Sequence, residues 1–234
     1  MAEAGEPDGL DELIGRVDPD RWLASRFIAD REARADVVAL YAYDYELGRA
    51  AAVASNALIA EIRLTWWREA LEQIFAGGPL RRHPTAEALA AAVGRRGLPK
   101  APLEAMIEGH IDVLGRAALD PQAALAWADA VEGSAAALAA QILDAAAPAE
   151  AARPAGRAWG LALLRRAGQA HGPDLDAALR AALAEARSSA RSLGVAAFPA
   201  ALPARLARYD LSGKRPGPLA RRIALIVAAA AARI

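Results

Sequence analysis

Apolar residues recur at three- and four-residue spacing along almost the whole chain, and no segment alternates between apolar and polar residues over a strand's length. This pattern predicts an all-α fold. The chain has 234 residues, 55% of them hydrophobic, which suffices for one helical domain with a sizeable core. Caps and breakers set the predicted helices at 19–28, 31–53, 57–76, 85–96, 101–115, 121–146, 150–170, 174–193, 197–208 and 218–233. Residues 1–17 are expected to be a flexible N-terminal segment preceding a helical domain over 18–234.

Charge and cysteine content exclude several classes of function. The 28 basic and 28 acidic residues give a net charge of zero, without a basic stripe, so no nucleic-acid partner is expected. The absence of cysteine excludes disulfides and thiolate metal sites, and the three histidines have no zinc-ligand spacing. Any metal chemistry would therefore use oxygen ligands.

The sequence predicts no signal peptide and no transmembrane segment. It begins with an acidic, polar stretch, and the longest apolar run, residues 223–232, is far shorter than the roughly 20 residues that span a bilayer. We therefore expect a cytoplasmic protein. Arg221 and Arg222 lie beside the apolar run, which leaves peripheral association with a membrane open.

Two predicted helices carry the most informative side chains. On helix 31–53, Tyr41, Asp44 and Gly48 share one face, so a carboxylate lies among apolar neighbours. On helix 57–76, Trp66 and Trp67 belong to two adjacent apolar rows. We expect both rings to pack in the core, with a ligand platform as the alternative.

Several motifs resemble the squalene/phytoene synthase family, the head-to-head prenyltransferases. They are Arg21–Phe27, Ala39–Tyr43, Glu61–Leu71, Glu132–Ser134 and Trp159–Leu161. The most specific is Glu-Ile-Arg-Leu-Thr-Trp-Trp-Arg-Glu-Ala-Leu. The resemblance covers nearly the whole chain and implies a single prenyl-diphosphate-synthase-like (terpenoid synthase) helical bundle around a deep apolar cavity, to which Tyr41 and Trp159 would belong.

The resemblance also implies two aspartate-rich clusters that hold magnesium across the cavity mouth, because the diphosphate leaving group must be neutralised. The first cluster falls on positions occupied here by Gly48, Arg49 and Ala52. The second should follow Trp159–Leu161, but residues 163–172 contain no carboxylate. We therefore predict no catalytic residues, no resident metal and no cofactor.

Other carboxylates are candidates for a relocated magnesium site. Asp129 and Glu132 are three residues apart on predicted helix 121–146, and Asp44 lies on a central helix. Together these three could hold one ion. The alternative interpretation, which we favour, is a partly buried polar network.

The segment Ala42–Gly48, Ala-Tyr-Asp-Tyr-Glu-Leu-Gly, resembles an aspartate-poor branch of the family that includes a mitochondrial assembly factor for respiratory complex I. Two hypotheses follow. In the first, the chain has lost prenyl transfer and is a binding or assembly protein, with a prenyl or lipid ligand in the cavity or subunits of a membrane complex as partners. In the second, it is a divergent magnesium-dependent prenyltransferase acting on farnesyl or geranylgeranyl diphosphate.

Overall fold

The computed structural model describes residues 7–52 and 57–234. It is 78% helical and contains no strand in these residues, so the predicted all-α class is confirmed. The α-helices are α1 (Pro7–Val17), α2 (Pro19–Ser25), α3 (Arg31–Ala52), α4 (Ala57–Ala76), α5 (Pro84–Arg96), α6 (Lys100–Asp112), α7 (Pro121–Ala128), α8 (Ser134–Leu143), α9 (Arg153–Arg166), α10 (Pro173–Ser189), α11 (Pro203–Ser212) and α12 (Pro218–Ala231).

Most helices lie where the apolar spacing predicts them. Two central helices, α3 and α9, organise the bundle. Helix α3 packs against α1, α4, α5, α6 and α8, and α9 packs against α7, α8, α10 and α11. The buried apolar side chains form one hydrophobic core, whose members range along the sequence from Ile14 to Ile234. Because α3 and α9 carry apolar residues on more than one face, each has packing partners on several sides.

The expectation of a flexible segment up to residue 17 is wrong for residues 7–17, which form α1; residues 1–6 lie outside the described part of the chain. Ile14 is fully buried against the core, and Asp11 accepts a hydrogen bond from Trp22 Nε1 at 3.0 Å. A few apolar side chains are thus enough to dock this largely polar helix.

Two other segments depart from the predicted helices. The predicted helix 121–146 is interrupted by a π-helical segment, Asp129–Gly133, between α7 and α8. The predicted helix 197–208 begins later, as α11, after a 3-10 turn at Phe198–Ala201. Pro203 stands at the first turn of α11, where its missing N–H costs no helical hydrogen bond, so it marks the true start of this helix.

Candidate functional site

A cavity of about 600 Å³ opens between α3 and α9. Its wall combines apolar side chains, including Trp127, Trp159 and Leu163, with a dense group of charged ones. Tyr41, Asp44 and Gly48 share one face of α3, as the spacing predicts, and Asp44 and Gly48 line the cavity. The volume lies in the range of small-molecule pockets.

One arginine binds three carboxylates at the cavity wall. Arg21 Nη2 donates to Asp44 Oδ2 at 2.6 Å, Nη1 donates to Glu132 Oε2 at 3.0 Å, and Nε donates to Asp18. The guanidinium also lies over the Tyr41 ring, 4.8 Å from its centroid. We call Arg21, Asp18, Asp44 and Glu132 the Arg21 cluster; its arginine, Asp44 and Glu132 are all buried.

The start of α2 fixes the position of Arg21. Asp18 caps this helix by accepting a hydrogen bond from the Arg21 backbone N–H at 3.1 Å, and Pro19 occupies the first turn. The same carboxylate then receives the Arg21 side chain, so the cap also orients the guanidinium towards α3.

Burial and neighbouring charges shift the pKa values of Glu132 and Arg21. Burial raises the pKa of Glu132 well above its ordinary value, although Arg21 acts in the opposite direction. Burial alone would lower the pKa of Arg21, but the surrounding carboxylates, Glu132 first, raise it above the ordinary value. The arginine therefore stays charged, while Glu132 holds its proton more tightly than an exposed glutamate.

The π-helical segment places Glu132 in the cluster and turns Asp129 away from it. Asp129 pairs with Arg157 at 2.8 Å and with Arg153 at 3.7 Å on α9. The i→i+5 bonding of a π-turn widens the helix, so residues three apart no longer share a face as they would in an α-helix. Of the three candidates for a relocated magnesium site, Asp44 and Glu132 therefore lie together and Asp129 lies apart from them.

Two glycines on α9 allow the close approach of the π-helical segment. A Cβ atom on Gly156 would lie 2.0 Å from the Glu132 carbonyl oxygen, and one on Gly160 would lie 3.0 Å from Glu132 Cγ. Only glycine leaves room for the backbone there. The position of Glu132 therefore depends on these two small residues.

A second group of charges lines the cavity around Asp20. This buried carboxylate accepts hydrogen bonds from Arg215, at 2.6 Å, and from Arg221, and it lies 3.6 Å from Arg166 Nη1. Arg166 also faces Asp210. These pairs join α2 and α9 to α11 and α12.

Several buried donor atoms at the mouth have no hydrogen-bond partner among the described residues. They include Trp159 Nε1, Arg166 Nη2 and Arg221 Nε. The Arg166 guanidinium lies over the Trp159 ring, 4.5 Å from its centroid, and burial lowers the pKa of Arg166. Unpaired buried donors are costly, and they suit a ligand that carries acceptor oxygens.

His110 of α6 also lines the cavity. It contacts Trp127 edge-on, with 5.7 Å between ring centroids, and its Nε2 atom has no partner among the described residues. Burial lowers the pKa of this imidazole. The neutral form is therefore favoured in the folded protein.

Comparison with known proteins identifies the family. The family model for squalene/phytoene synthase matches residues 14–172. The chain belongs to the squalene/phytoene synthase family. No sequence among the curated proteins matches it.

Solved squalene/phytoene synthases share the fold. The chain is similar to the crystal structure of the squalene synthase HpnC from Alicyclobacillus acidocaldarius, with a TM-score of 0.71 at 14% identity, over 88% of this chain and 92% of that one. It is also similar to a dehydrosqualene synthase in complex with a ligand, with a TM-score of 0.70 at 15% identity, over 97% and 95% of the two chains. The expected terpenoid-synthase-like bundle is thereby confirmed.

The residues at the mouth do not fit the magnesium ions that squalene/phytoene synthases are expected to hold. Gly48 and Ala52 offer no side-chain oxygen, and Arg49 pairs with Glu46 at 2.7 Å. Asp44 and Glu132 already bind Arg21, so a cation between them would have to displace a buried guanidinium. In residues 7–52 and 57–234, no group of three or more acidic or histidine side chains is placed to hold a metal ion.

In the tryptophan motif, the most specific part of the family resemblance, one ring lies in the core and the other packs at its edge, 4.9 Å from the first between ring centroids. Trp67 is buried and forms an edge-on aromatic cluster with Tyr43 and His83. Trp66 is half-buried and borders a surface cavity of about 420 Å³ beside Ile62, which is exposed. Core packing of both rings, the expectation from the sequence, therefore describes Trp67 fully and Trp66 in part, because the row of Trp66 also carries the exposed Ile62.

The sequence did not assign the arginines to the site. They come from four segments of the chain: Arg21, Arg166, Arg215 and Arg221. Arg21 opens a family motif and Arg221 lies beside the apolar run of residues 223–232, but neither feature assigns these residues to a cavity. Their partners are distant in the sequence, as with Arg21 and Glu132, which are separated by 111 residues. Spacing along a chain does not reveal such contacts.

Proposed function

We propose that this family member no longer transfers prenyl groups and instead acts as a binding or assembly protein. The observation that carries the proposal is the Arg21 cluster: a fixed guanidinium lies between Asp44 and Glu132 in the wall of the cavity for which the family resemblance implies magnesium. Without metal ions opposite the departing diphosphate, ionisation of a prenyl diphosphate loses its main electrostatic stabilisation.

The ligand class follows from the lining of the cavity. Trp127 and Leu163 offer apolar surface to a hydrocarbon chain, while the unpaired donors of Trp159 and Arg166 offer hydrogen bonds to an oxygen-rich head. An amphipathic anion, such as a prenyl diphosphate or an acidic lipid, meets both requirements. Binding would use arginine donors in place of metal ions.

An assembly role is supported by the resemblance of Ala42–Gly48 to the branch that serves respiratory complex I. We expect the tagged full-length chain, purified from its host's membranes, to bring down subunits of a respiratory complex. A tagged Gly48→Asp/Ala52→Asp variant places aspartates at two positions where the active enzymes are expected to carry them. The subunits recovered with this variant are compared with those recovered with the unaltered chain. Recovery of no membrane-complex subunit with the unaltered chain would contradict the assembly role.

Pyrophosphate release tests the loss of catalysis. Purified protein with magnesium and farnesyl or geranylgeranyl diphosphate is expected to release none above background, because positions 48, 49 and 52 supply no ligand. Magnesium-dependent release that disappears in Asp44→Asn or Glu132→Gln would overturn the proposal. It would support the divergent prenyltransferase instead, with the relocated carboxylates as ligands.

Ligand binding is tested separately by thermal unfolding in the presence of a chelator. Farnesyl diphosphate should raise the melting temperature without magnesium, and Arg166→Gln should reduce this shift. Arg165→Gln is the matched control, because Arg165 pairs with Asp176 and does not line the cavity. Equal shifts in the two variants, or no shift in the unaltered protein, would contradict ligand binding at this mouth.

A further inference from the structure

Helix α12 exposes an apolar face that no other described residue covers. Leu219, Ile223, Ile226 and Val227 are between 53% and 71% exposed, and their spacing places them on one side of the helix. The opposite side, with Leu225 at its centre, is buried in the core. Contiguous exposed aliphatic side chains on a helix are typical of an interaction surface.

The C-terminal segment that contains α12 is positively charged. Residues 211–234 contain one lysine, four arginines and no acidic residue, although the whole chain is neutral. Arg215 and Arg221 are paired with Asp20, whereas Lys214, Arg222 and Arg233 have no carboxylate partner in the described part of the chain. Arg222 lies at the edge of the exposed apolar face, where a long side chain reaches outward.

We propose that this face of α12 docks on the surface of an anionic lipid bilayer. The aliphatic side chains would enter the boundary between headgroups and acyl chains, and the unpaired cations would face the acidic headgroups. None of the described helices has the length and apolar composition needed to cross a bilayer, so α12 lies along the surface.

A protein partner fits this face less well. It presents no aromatic side chain, and Leu and Val are under-represented among the residues that dominate binding energy between proteins. A second copy of this chain, related by a two-fold axis, would bring the same unpaired cations towards each other. A bilayer supplies both the apolar depth and the negative charge.

Docking of α12 would bring the cavity mouth next to the membrane. Arg222 faces outward, but its neighbour Arg221 reaches inward to Asp20 at the mouth. If the cavity binds an amphipathic anion, as proposed above, such a ligand would have a short path between bilayer and cavity. The docking itself does not depend on that function.

Vesicle sedimentation tests the docking. The full-length protein is expected to bind anionic vesicles made of phosphatidylglycerol and phosphatidylcholine and to dissociate from them at high salt. It should not bind vesicles of phosphatidylcholine alone. The double variant Leu219→Asp/Ile226→Asp should bind at least about tenfold more weakly. Its matched control is Leu58→Asp/Ile62→Asp on α4, where the two side chains are 65% and 60% exposed.

Variants of exposed arginines test the docking without placing aspartates on α12, so a loss of binding cannot be ascribed to misfolding of this helix. Arg222→Gln and Arg233→Gln should each weaken binding to the anionic vesicles by about fivefold, the effect of one cation at an acidic membrane surface. Arg63→Gln, an exposed arginine on α4, should leave binding unchanged.

Three results would overturn the proposal: no binding to anionic vesicles at low salt, equal binding by the α12 and α4 variants, or a dimer that the α12 variants dissociate. The α12 variants should still show the thermal shift with farnesyl diphosphate in the absence of vesicles, because none of the altered side chains lines the cavity. Failure of docking is therefore distinguishable from failure of ligand binding.

Discussion

Asp18, Asp44 and Glu132 all accept hydrogen bonds from the Arg21 guanidinium, and Arg21 is 5% exposed. Replacing this arginine by methionine keeps much of its volume but leaves buried carboxylates without a cation. Arg21→Met should therefore lower the free energy of unfolding by about 3–5 kcal/mol, measured by urea denaturation.

The control for this variant is Arg68→Met, which removes an arginine whose 2.6 Å pair with Glu108 is exposed. Exposed pairs contribute only about 0–1 kcal/mol. If the two variants lose the same stability, the Arg21 cluster does not hold the cavity mouth together.

The raised pKa of Glu132 makes stability depend on pH in a definite direction. In the unfolded chain the carboxyl group titrates near 4.5, whereas in the folded protein burial raises its pKa well above that value. The folded state thus retains a proton that the unfolded state has lost. The corresponding stability is complete at low pH and is lost as the pH rises through the folded pKa.

Glu132→Gln cannot ionise, so the stability of this variant relative to the unaltered protein should increase as the pH rises from about 5 to about 8. Thermal unfolding of both proteins across that range measures the difference. Glu108→Gln, an exposed glutamate that also pairs with an arginine, serves as the comparison. A difference that stays constant with pH would show that Glu132 is ionised throughout.

For individual residues, the sequence indicated two of the carboxylates that line the cavity, but it did not indicate which side chains bind them. Asp44 and Glu132 could be selected as candidate cavity carboxylates because each falls in a recognisable motif. Arg21 also opens a family motif, but no local pattern places it between these two carboxylates, since it is 23 residues from one and 111 from the other. The favoured alternative, a buried polar network, describes the contacts of these two residues.

Among the elements, the π-helical segment Asp129–Gly133 most affects the candidate site. A single widened turn leaves the apolar periodicity of the flanking helices almost unchanged, so the sequence predicted one continuous helix. The consequence for the side chains is nevertheless large, because Asp129 and Glu132 point to different arginines. Only the two glycines of α9, four residues apart, gave a signal of the close packing there.

Gly156→Ala should destabilise the protein by about 1–3 kcal/mol or more, because the added methyl group would overlap the Glu132 backbone. Gly94→Ala in α5 is a matched substitution with open space around the new methyl group. It should stabilise the protein by about 0.5–1 kcal/mol through helix propensity alone. Calorimetric melting of both variants checks the prediction, and a Gly156→Ala protein as stable as Gly94→Ala would contradict the close packing.

Over the whole molecule, the sequence predicted the helical architecture better than it predicted which side chains are buried at the periphery of the bundle. Amphipathic spacing located the helices because burial of one face is what makes each helix stable in the bundle. The prediction missed α1, where Ile14 is fully buried and Leu10 and Val17 pack against the core, and it overstated the burial of the Trp66 row, where Ile62 is exposed. Family membership was recognisable from motifs, while loss of activity stays a proposal because it concerns residues that are missing from those motifs.

The ion pairs around Asp20 also constrain when the cavity mouth is completed during synthesis. Asp20 pairs with Arg215 and Arg221, which are 195 and 201 residues further along the chain. At a synthesis rate of about 5–20 residues per second, the ribosome adds Arg221 about 10–40 s after Asp20. A nascent chain can form α3 and its neighbours in that interval, but its cavity lacks the arginines of this wall until the segment that carries them has emerged.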